Sequence, residues 1–255
     1  MRAGRKVLAV AAACAAVLVV GGCKKQSATE PAQQFTTIDW ANAGTIQGTI
    51  HYTKTPPKPV QIDMNQDPAC TLGPALFAEQ NVVGKDGGYA NVFVYLKEGL
   101  GNKVYAAPTQ PVDIDQKGCR YIPHVVGVMA GQPVRFTNSD PTMHNVHMVP
   151  TVQGNQAVDV SQPPAGGANQ PADQRTFAKP ELMMPVRCNN HPWMQAFLNV
   201  STNPFFAVTD ADGHFTIKGV PPGTYTIASD QEVAGEKTAT VTVPAKGTVT
   251  VDLSY

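Results

Sequence analysis

Residues 186–200, VRCNNHPWMQAFLNV, place a short polar stretch between two strand-like segments. Asparagine favours turns and Pro192 has a restricted backbone angle, so we expect the polar stretch to be a loop. Seven fully extended residues would span roughly 20 Å, and only a turn brings their side chains to one point. We therefore predict a strand–loop–strand unit with Cys188 at the end of one strand, His191 at the loop tip and Met194 at the start of the next.

Cys188, His191 and Met194 together offer a thiolate, an imidazole and a thioether, which could bind a metal ion with one more ligand. A second segment, DPTMHNVHMV at residues 140–149, offers a second imidazole. His144 and His147 are three residues apart, so in a strand they point to opposite faces and one of them faces the site. One thiolate, two imidazoles and a weak thioether are the donors of a blue-copper centre, whereas methionine is a poor zinc ligand. The residues predict one type 1 copper ion as cofactor; the alternative interpretation of Cys188 is a buried free thiol.

The rest of the chain favours strands over helices. No long stretch has apolar residues at helical spacing, whereas many short stretches alternate apolar and polar residues. Turn-forming sequences such as NSDP, DADG and VPPG separate these stretches, and residues 153–175 resemble a long loop. The sequence predicts an all-β fold of one or two sandwiches, with strands near 45–52, 90–96, 111–115, 132–138, 144–149, 181–188, 195–200, 214–219, 223–229, 237–243 and 247–253.

Three of these stretches together resemble the cupredoxin family. They are YIPHVVGVMAGQPVRFTNSD at 121–140, MHNVHMV at 143–149 and CNNHPWMQAFLNV at 188–200, whose ligand loop has the C-x-x-H-P-aromatic-M form of the amicyanin group. The resemblance covers about 109–202 and implies a Greek-key β-sandwich. It also implies a copper ligand set of His144, Cys188, His191 and Met194.

The same resemblance implies roles for neighbouring residues. Asn145, directly after the first histidine, matches an asparagine that holds the two ligand segments together. Because His191 lies at the loop tip, we expect it to be the ligand nearest the surface and the port for electrons. Pro192 and Trp193 would form an apolar rim around it for a transient partner.

A second resemblance concerns the end of the chain. TDADGHFTIKGVPPGTYTI at 209–227 resembles the carboxypeptidase regulatory-like, or prealbumin-like, β-sandwich module, and GTIQGTIHY at 44–52 and ANVFVYLK at 90–97 match its earlier strands. We therefore predict a discontinuous sandwich, 40–105 plus 204–255, with the copper domain, 106–203, inserted at a loop tip. The alternative is that 44–100 adds strands to the copper domain.

The first residues have the order of a secretory signal peptide. A basic start, MRAGRK, precedes a 14-residue apolar run and then VGGC, and the run is shorter than the roughly 20 residues of a membrane span. The end of this segment also resembles a bacterial lipobox. We predict a signal peptide at 1–22, a lipidated Cys23 and a tether at 23–39, which would place the protein in the bacterial periplasm or cell envelope. The alternative is an ordinary signal peptide with a chance cysteine.

Charge and cysteine content narrow the function classes. Without residues 1–22 the chain has 16 Lys and Arg against 19 Asp and Glu, a net charge of −3, and no basic block remains, which argues against nucleic-acid binding. With Cys14 removed and Cys23 lipidated, three cysteines remain, an odd number that in an oxidising compartment means one pair and one free thiol. We predict that Cys70 pairs with Cys119 and that Cys188 is free.

These predictions converge on an exported, lipid-anchored type 1 copper protein that carries single electrons. The resemblance to cupredoxins implies a redox partner such as a periplasmic cytochrome or a dehydrogenase. We do not expect an enzyme, because the sequence has no apparent hydrolytic triad, phosphate-binding loop or second copper motif. Two alternatives stay open: copper capture or delivery, favoured by the His- and Met-rich MHNVHM, and a structural or adhesive envelope protein.

Overall fold

The computed structural model describes Met1, Gly4, residues 34–166 and residues 173–255. The predicted signal peptide beyond Met1 and Gly4, the predicted lipidation site Cys23 and the tether up to residue 33 lie outside the described residues.

The described residues form seventeen strands, so the all-β prediction is confirmed. Their single helical element is a 3₁₀ turn at Pro68–Thr71, and no described helix has the length and apolar character to cross a membrane. The strands are β1 (Gly44–His51), β2 (Phe93–Glu98), β3 (Val112–Gln116), β4 (Tyr121–Ile122), β5 (Val125–Met129), β6 (Pro133–Asn138), β7 (His144–Met148), β8 (Val158–Gln162), β9 (Asp173–Thr176), β10 (Glu181–Arg187), β11 (Gln195–Ser201), β12 (Phe206–Val208), β13 (His214–Val220), β14 (Gly223–Gln231), β15 (Gly235–Val243), β16 (Thr248–Thr250) and β17 (Leu253–Ser254).

Two sheets enclose the core next to the predicted metal site. One has the strand order β5-β11-β10-β7-β8 and the other β4-β3-β6-β9. Alternation sets their inner faces: in β6, Val134, Phe136 and Asn138 are buried and the residues between them are partly exposed. Both sheets contribute apolar side chains to one continuous core. This is the arrangement of a β-sandwich.

A second pair of sheets has a core of its own. β1 lies between β13 and β16 and also pairs with β17, while the other sheet has the order β12-β2-β14-β15. These strands come from before and after the first sandwich in the chain. Residues 34–255 form one compact unit. The predicted domain division, with a sandwich of 40–105 plus 204–255 around a copper domain of 106–203, therefore stays a prediction. The prealbumin-like identity of the second sandwich also stays a prediction.

A third, smaller apolar cluster joins the two sandwiches. It combines Phe93 and Tyr95 of β2 with Val125 of β5 and Phe197 of β11. Gly127 in β5 lies under this contact, where a Cβ atom would come within 2.6 Å of the Phe93 ring. Outer faces that would otherwise be exposed are thus buried against each other, which holds the two sandwiches together.

The expected long loop at 153–175 is wrong in two places, because it contains the strand β8 and ends within the strand β9. β8 pairs with β7, and β9 pairs with β6. These short stretches have weak local strand signals, and the unpaired edges of the two sheets supply the partners that make them strands. Two edge strands therefore extend the first sandwich.

Residues 61–77, here called the covering segment, pack against the first sandwich, although they lie within the predicted 40–105 block. Met64 and Cys70 are buried in the first core, and Ile62 and Leu76 pack against it. The covering segment lies between β1 and β2 in the chain and reaches the end of the first sandwich where the candidate ligands are found.

Candidate metal centre

The loop at 188–194 closes the hairpin between β10 and β11. Pairing of Arg187 with Gln195 ends the ladder directly on either side of the loop. Within the loop, the amide of Met194 donates to the carbonyl of His191 at 2.9 Å. This hydrogen bond turns the chain back on itself and brings separate donors of the loop toward one point.

β7 supplies the second imidazole. It lies beside β10 through the pair Arg187 and His147, so its first residue, His144, lies next to the ligand loop. His144 is buried, whereas His147 is half-buried and its Nδ1 lies 2.8 Å from Asn189 Oδ1. The alternation of the strand therefore directs His144, and not His147, into the site.

Three of the four predicted ligands converge. His144, Cys188 and His191 each present one donor atom, and these atoms lie within 4.8 Å of one another. The Nδ1 atoms of the two histidines are 2.9 Å apart, and Cys188 Sγ is 3.7 Å from His191 Nδ1. All three side chains are buried, so this donor set could hold a metal ion out of contact with solvent.

Met194 belongs to the same apolar core as Cys188 and is 1% exposed. It follows the ligand loop at the point where β11 begins. Its side chain is therefore a buried soft group rather than a surface methionine.

Cys188 is surrounded by hydrogen-bond donors. Burial raises the pKa of its thiol, but hydrogen bonds from His144 and from the amides of Asn190, Asn145 and His191 outweigh burial and bring the pKa below its ordinary value of 9.0. Since the thiolate is the form that binds metals, these donors favour the ligating state.

Asn145 links the two ligand segments. Its side-chain carbonyl accepts a hydrogen bond from the amide of Asn189 at 3.3 Å, and its Nδ2 donates to Asp159 at 2.9 Å. Its backbone carbonyl accepts a hydrogen bond from the Tyr121 hydroxyl. The hydrogen bond from Asn189 joins the two segments, and the functional role assigned to Asn145 stays a prediction.

Asp140 holds the far nitrogen of His144. Its Oδ2 lies 2.8 Å from His144 Nε2, and the carboxylate also accepts from the amides of Gly118 and Cys119 at 2.6 and 2.8 Å. Burial lowers the pKa of His144, but Asp140 and then Cys188 raise it above its ordinary value of 6.5. The imidazole is thereby oriented with Nδ1 toward Cys188.

Contrary to the expectation from the sequence, His191 does not reach the surface. The residue is only 4% exposed, because the covering segment lies over it. Asp67 of that segment places Oδ2 3.0 Å from His191 Nε2. The hydrogen bonds of Asp67, above all that from Thr142, hold the pKa of its carboxyl below the ordinary value.

A disulfide fixes the covering segment to the first sandwich. It joins Cys70 to Cys119, with an S–S distance of 1.99 Å, and Cys188 is the free cysteine among the described residues. Next to the disulfide, Trp193 donates from Nε1 to the Cys119 carbonyl at 3.1 Å, and the Trp193 ring lies 5.1 Å from the His191 ring. Of the predicted rim, Pro192 is exposed and Trp193 half-buried.

Asp67 and Asp140 are site residues that the sequence analysis missed. Asp140 lies in NSDP, which was interpreted only as a turn, yet its position four residues before His144 is a usable signal. Asp67 has no such signal, because 124 positions separate it from His191.

Comparisons with known proteins gave matches among solved structures alone. No protein-family model and no curated protein matches the chain. Amicyanin from Paracoccus versutus is 21% identical, with a TM-score of 0.31, over 42% of this chain and 97% of its own. A purple cupredoxin from Nitrosopumilus maritimus is 19% identical, with a TM-score of 0.28, over 35% of this chain and 99% of its own.

A copper-containing nitrite reductase from Thermus scotoductus SA-01 is 24% identical, with a TM-score of 0.31, over 42% of this chain. The match spans only 25% of that reductase. Similarity at this level carries no argument about the function of this chain, so the function proposed below rests on its own residues.

Proposed function

We propose that this chain is an exported, lipid-anchored type 1 copper protein that carries single electrons between redox partners of the bacterial periplasm. The observation that carries the proposal is the convergence of three buried donors, Nδ1 of His144, Nδ1 of His191 and the Cys188 sulfur. The lipobox-like VVGGC supports export and anchoring, and the partner class, a cytochrome or dehydrogenase, follows from the resemblance to cupredoxins.

The donor set fits copper better than other common metals. Thiolate and imidazole suit copper in both of its oxidation states, and the buried thioether of Met194 adds a soft donor that zinc rarely takes. His144, Cys188, His191 and Met194 would hold the ion, and copper would supply one-electron oxidation and reduction.

The protein's own contribution is to keep these donors in one arrangement. The ligand loop is anchored between two paired strands, Asp140 and Asp67 hold the far nitrogens of the imidazoles, and backbone amides hold the sulfur. Ligands fixed in this way rearrange little when the charge of the site changes, which favours fast electron transfer. If all four of these residues bound the ion, no open position would remain for a substrate, which supports a carrier rather than an enzyme.

The proposal is tested by adding copper(II) to purified protein and recording its visible spectrum. We expect an intense thiolate-to-copper charge-transfer band that Cys188→Ala abolishes, because the band requires the sulfur ligand. His147→Ala is the matched control, since His147 points away from the site, and it should keep the band. An unaltered spectrum on addition of copper, in oxidised and reduced protein alike, would contradict the proposal.

One observation favours copper delivery as a second candidate function. Met143, directly before His144, is 50% exposed and so offers a soft donor at the surface beside the buried site. A delivery protein should release copper(I) quickly to a weak chelator and need not have a reversible redox couple. Chelator competition together with voltammetry distinguishes the two functions.

A further inference from the structure

The covering segment adds a charged group to the metal centre from outside the first sandwich. We propose that Asp67 is a positioning residue of this centre: its carboxylate holds the Nε2–H of His191, directs Nδ1 toward Cys188, and places a negative charge that favours copper(II) over copper(I). This inference rests on the proposed function and names a residue that sets the properties of the same site.

The geometry assigns the two nitrogens of His191 to different partners. Nε2 lies 3.0 Å from the Asp67 carboxylate, while Nδ1 lies 2.9 Å from His144 Nδ1 and 3.7 Å from the Cys188 sulfur. An ionised carboxylate only accepts hydrogen bonds, so the ring proton lies on Nε2 and Nδ1 keeps the lone pair that a metal needs. A partner of this kind also orients the ring.

Asp67 is itself held in place. Its Oδ2 accepts a hydrogen bond from the Thr142 hydroxyl at 2.7 Å, and its Oδ1 accepts from the amide of Ala69 at 2.9 Å. Thr142 lies two residues before His144, so the carboxylate contacts the segments of both histidine ligands. A group with three partners in fixed directions can position a ligand, whereas a freely rotating surface carboxylate cannot.

The disulfide links the chain segments that hold the two carboxylates, Asp67 and Asp140. Cys70 lies three residues after Asp67, and its partner Cys119 donates its backbone amide to Asp140, the carboxylate that holds His144. One cross-link therefore fixes an acidic partner for each ligand imidazole. One of the two carboxylates, Asp67, comes from the segment between β1 and β2, outside the strands of the first sandwich.

The charge of Asp67 has a predictable effect on the redox couple. A negative charge near the metal stabilises the more positive ion, and burial of the histidine weakens the screening by solvent. Asp67→Asn removes that charge at nearly constant size. We expect it to weaken the preference for copper(II) at least tenfold, which raises the reduction potential by about 59 mV for each factor of ten in a one-electron couple.

The first test uses metal-free, full-chain protein and so does not depend on copper. Nitrogen-15 NMR at a pH where His191 is neutral should find its proton on Nε2, and Asp67→Ala should produce a mixture of the two tautomers. Asp63→Ala, which removes an exposed carboxylate of the same covering segment, should leave the tautomer unchanged. A proton on Nδ1 in the wild type would overturn the proposal without any variant.

The second test uses copper-loaded protein and voltammetry. Asp67→Asn should raise the potential more than Asp63→Asn, which removes the same charge at a greater distance from His191, and Asp67→Glu should restore a low potential. Equal shifts in the two Asn variants would overturn the role of Asp67 while leaving the carrier function intact. If no copper binds at all, the carrier function fails and the NMR result alone decides whether Asp67 positions His191.

Discussion

His144 and His191 divide their two ring nitrogens in the same way. Each turns Nδ1 toward the Cys188 sulfur and Nε2 toward a carboxylate, Asp140 for one and Asp67 for the other. The sequence pointed to the candidate ligands, since their spacing and residue types are local. It did not point to the carboxylates, because a hydrogen-bond partner can come from anywhere in the chain.

A carboxylate in the second sandwich is expected to limit stability. Asp230 in β14 lies directly opposite Glu236 in β15, and burial first, and then Glu236, raise the pKa of Asp230 above its ordinary value of 3.8. A raised pKa means that the folded state holds the proton more tightly than the unfolded state. The stability that protonated Asp230 contributes is therefore present below the pKa of the unfolded state. It is lost as the pH rises through the pKa of the folded state.

Asp230→Asn should consequently stabilise the protein at pH 7, by about 0.2–1 kcal/mol, the usual size of a like-charge pair across two strands. The gain should vanish at a pH below the ordinary value of 3.8, where the wild-type carboxyl is also neutral. Urea denaturation at pH 7 and at a pH below 3.8 measures this gain in the free energy of unfolding. Asp86→Asn, at an exposed position, is the control. A variant less stable than the wild type at pH 7 would contradict the prediction.

At the scale of the elements, β1 is closely surrounded by neighbouring backbone. It is paired on both sides, and the chain between β16 and β17 passes close to Gly48, where a Cβ atom would come within 1.8 Å of the Val251 carbonyl oxygen. A glycine inside a strand often marks such a close backbone approach. The pattern GTIQGTIHY predicted the strand, and the neighbouring chain explains its second glycine.

Gly48→Ala should therefore destabilise the protein by about 1–3 kcal/mol, since the backbone at Val251 has to move to admit the methyl group. Gly73→Ala is the matched control, because a Cβ atom there meets no atom within 4 Å. Thermal unfolding followed by circular dichroism compares the two. Similar midpoints for both variants would show that β1 and its neighbours move apart at little cost.

At the scale of the whole molecule, one cross-link connects parts that are far apart in the chain. The disulfide spans 49 positions and attaches the covering segment to the sandwich that holds the ligands. Replacing both Cys70 and Cys119 by serine should lower the free energy of unfolding by about 2–4 kcal/mol, because the unfolded chain regains its loop entropy. Guanidinium denaturation of metal-free protein measures the loss.

Wild-type protein treated with a dithiol reductant serves as the control for the disulfide variant. Reduced wild type and the double serine variant should both unfold at a lower denaturant concentration than the oxidised wild type, since both lack the cross-link. An oxidised wild type that unfolds together with them would mean that other contacts hold the covering segment as firmly as the disulfide does.

The amino-acid sequence alone determined the all-β class and a donor set rich in soft ligands, because strand periodicity and the spacing of CNNHPWM are properties of neighbouring residues. Only the tertiary structure decided that His144 rather than His147 enters the site, that His191 is covered, and that Asp67 reaches it across 124 positions. The physical reason is that burial and carboxylate contacts arise where distant segments pack together, and no local pattern encodes which segments those are.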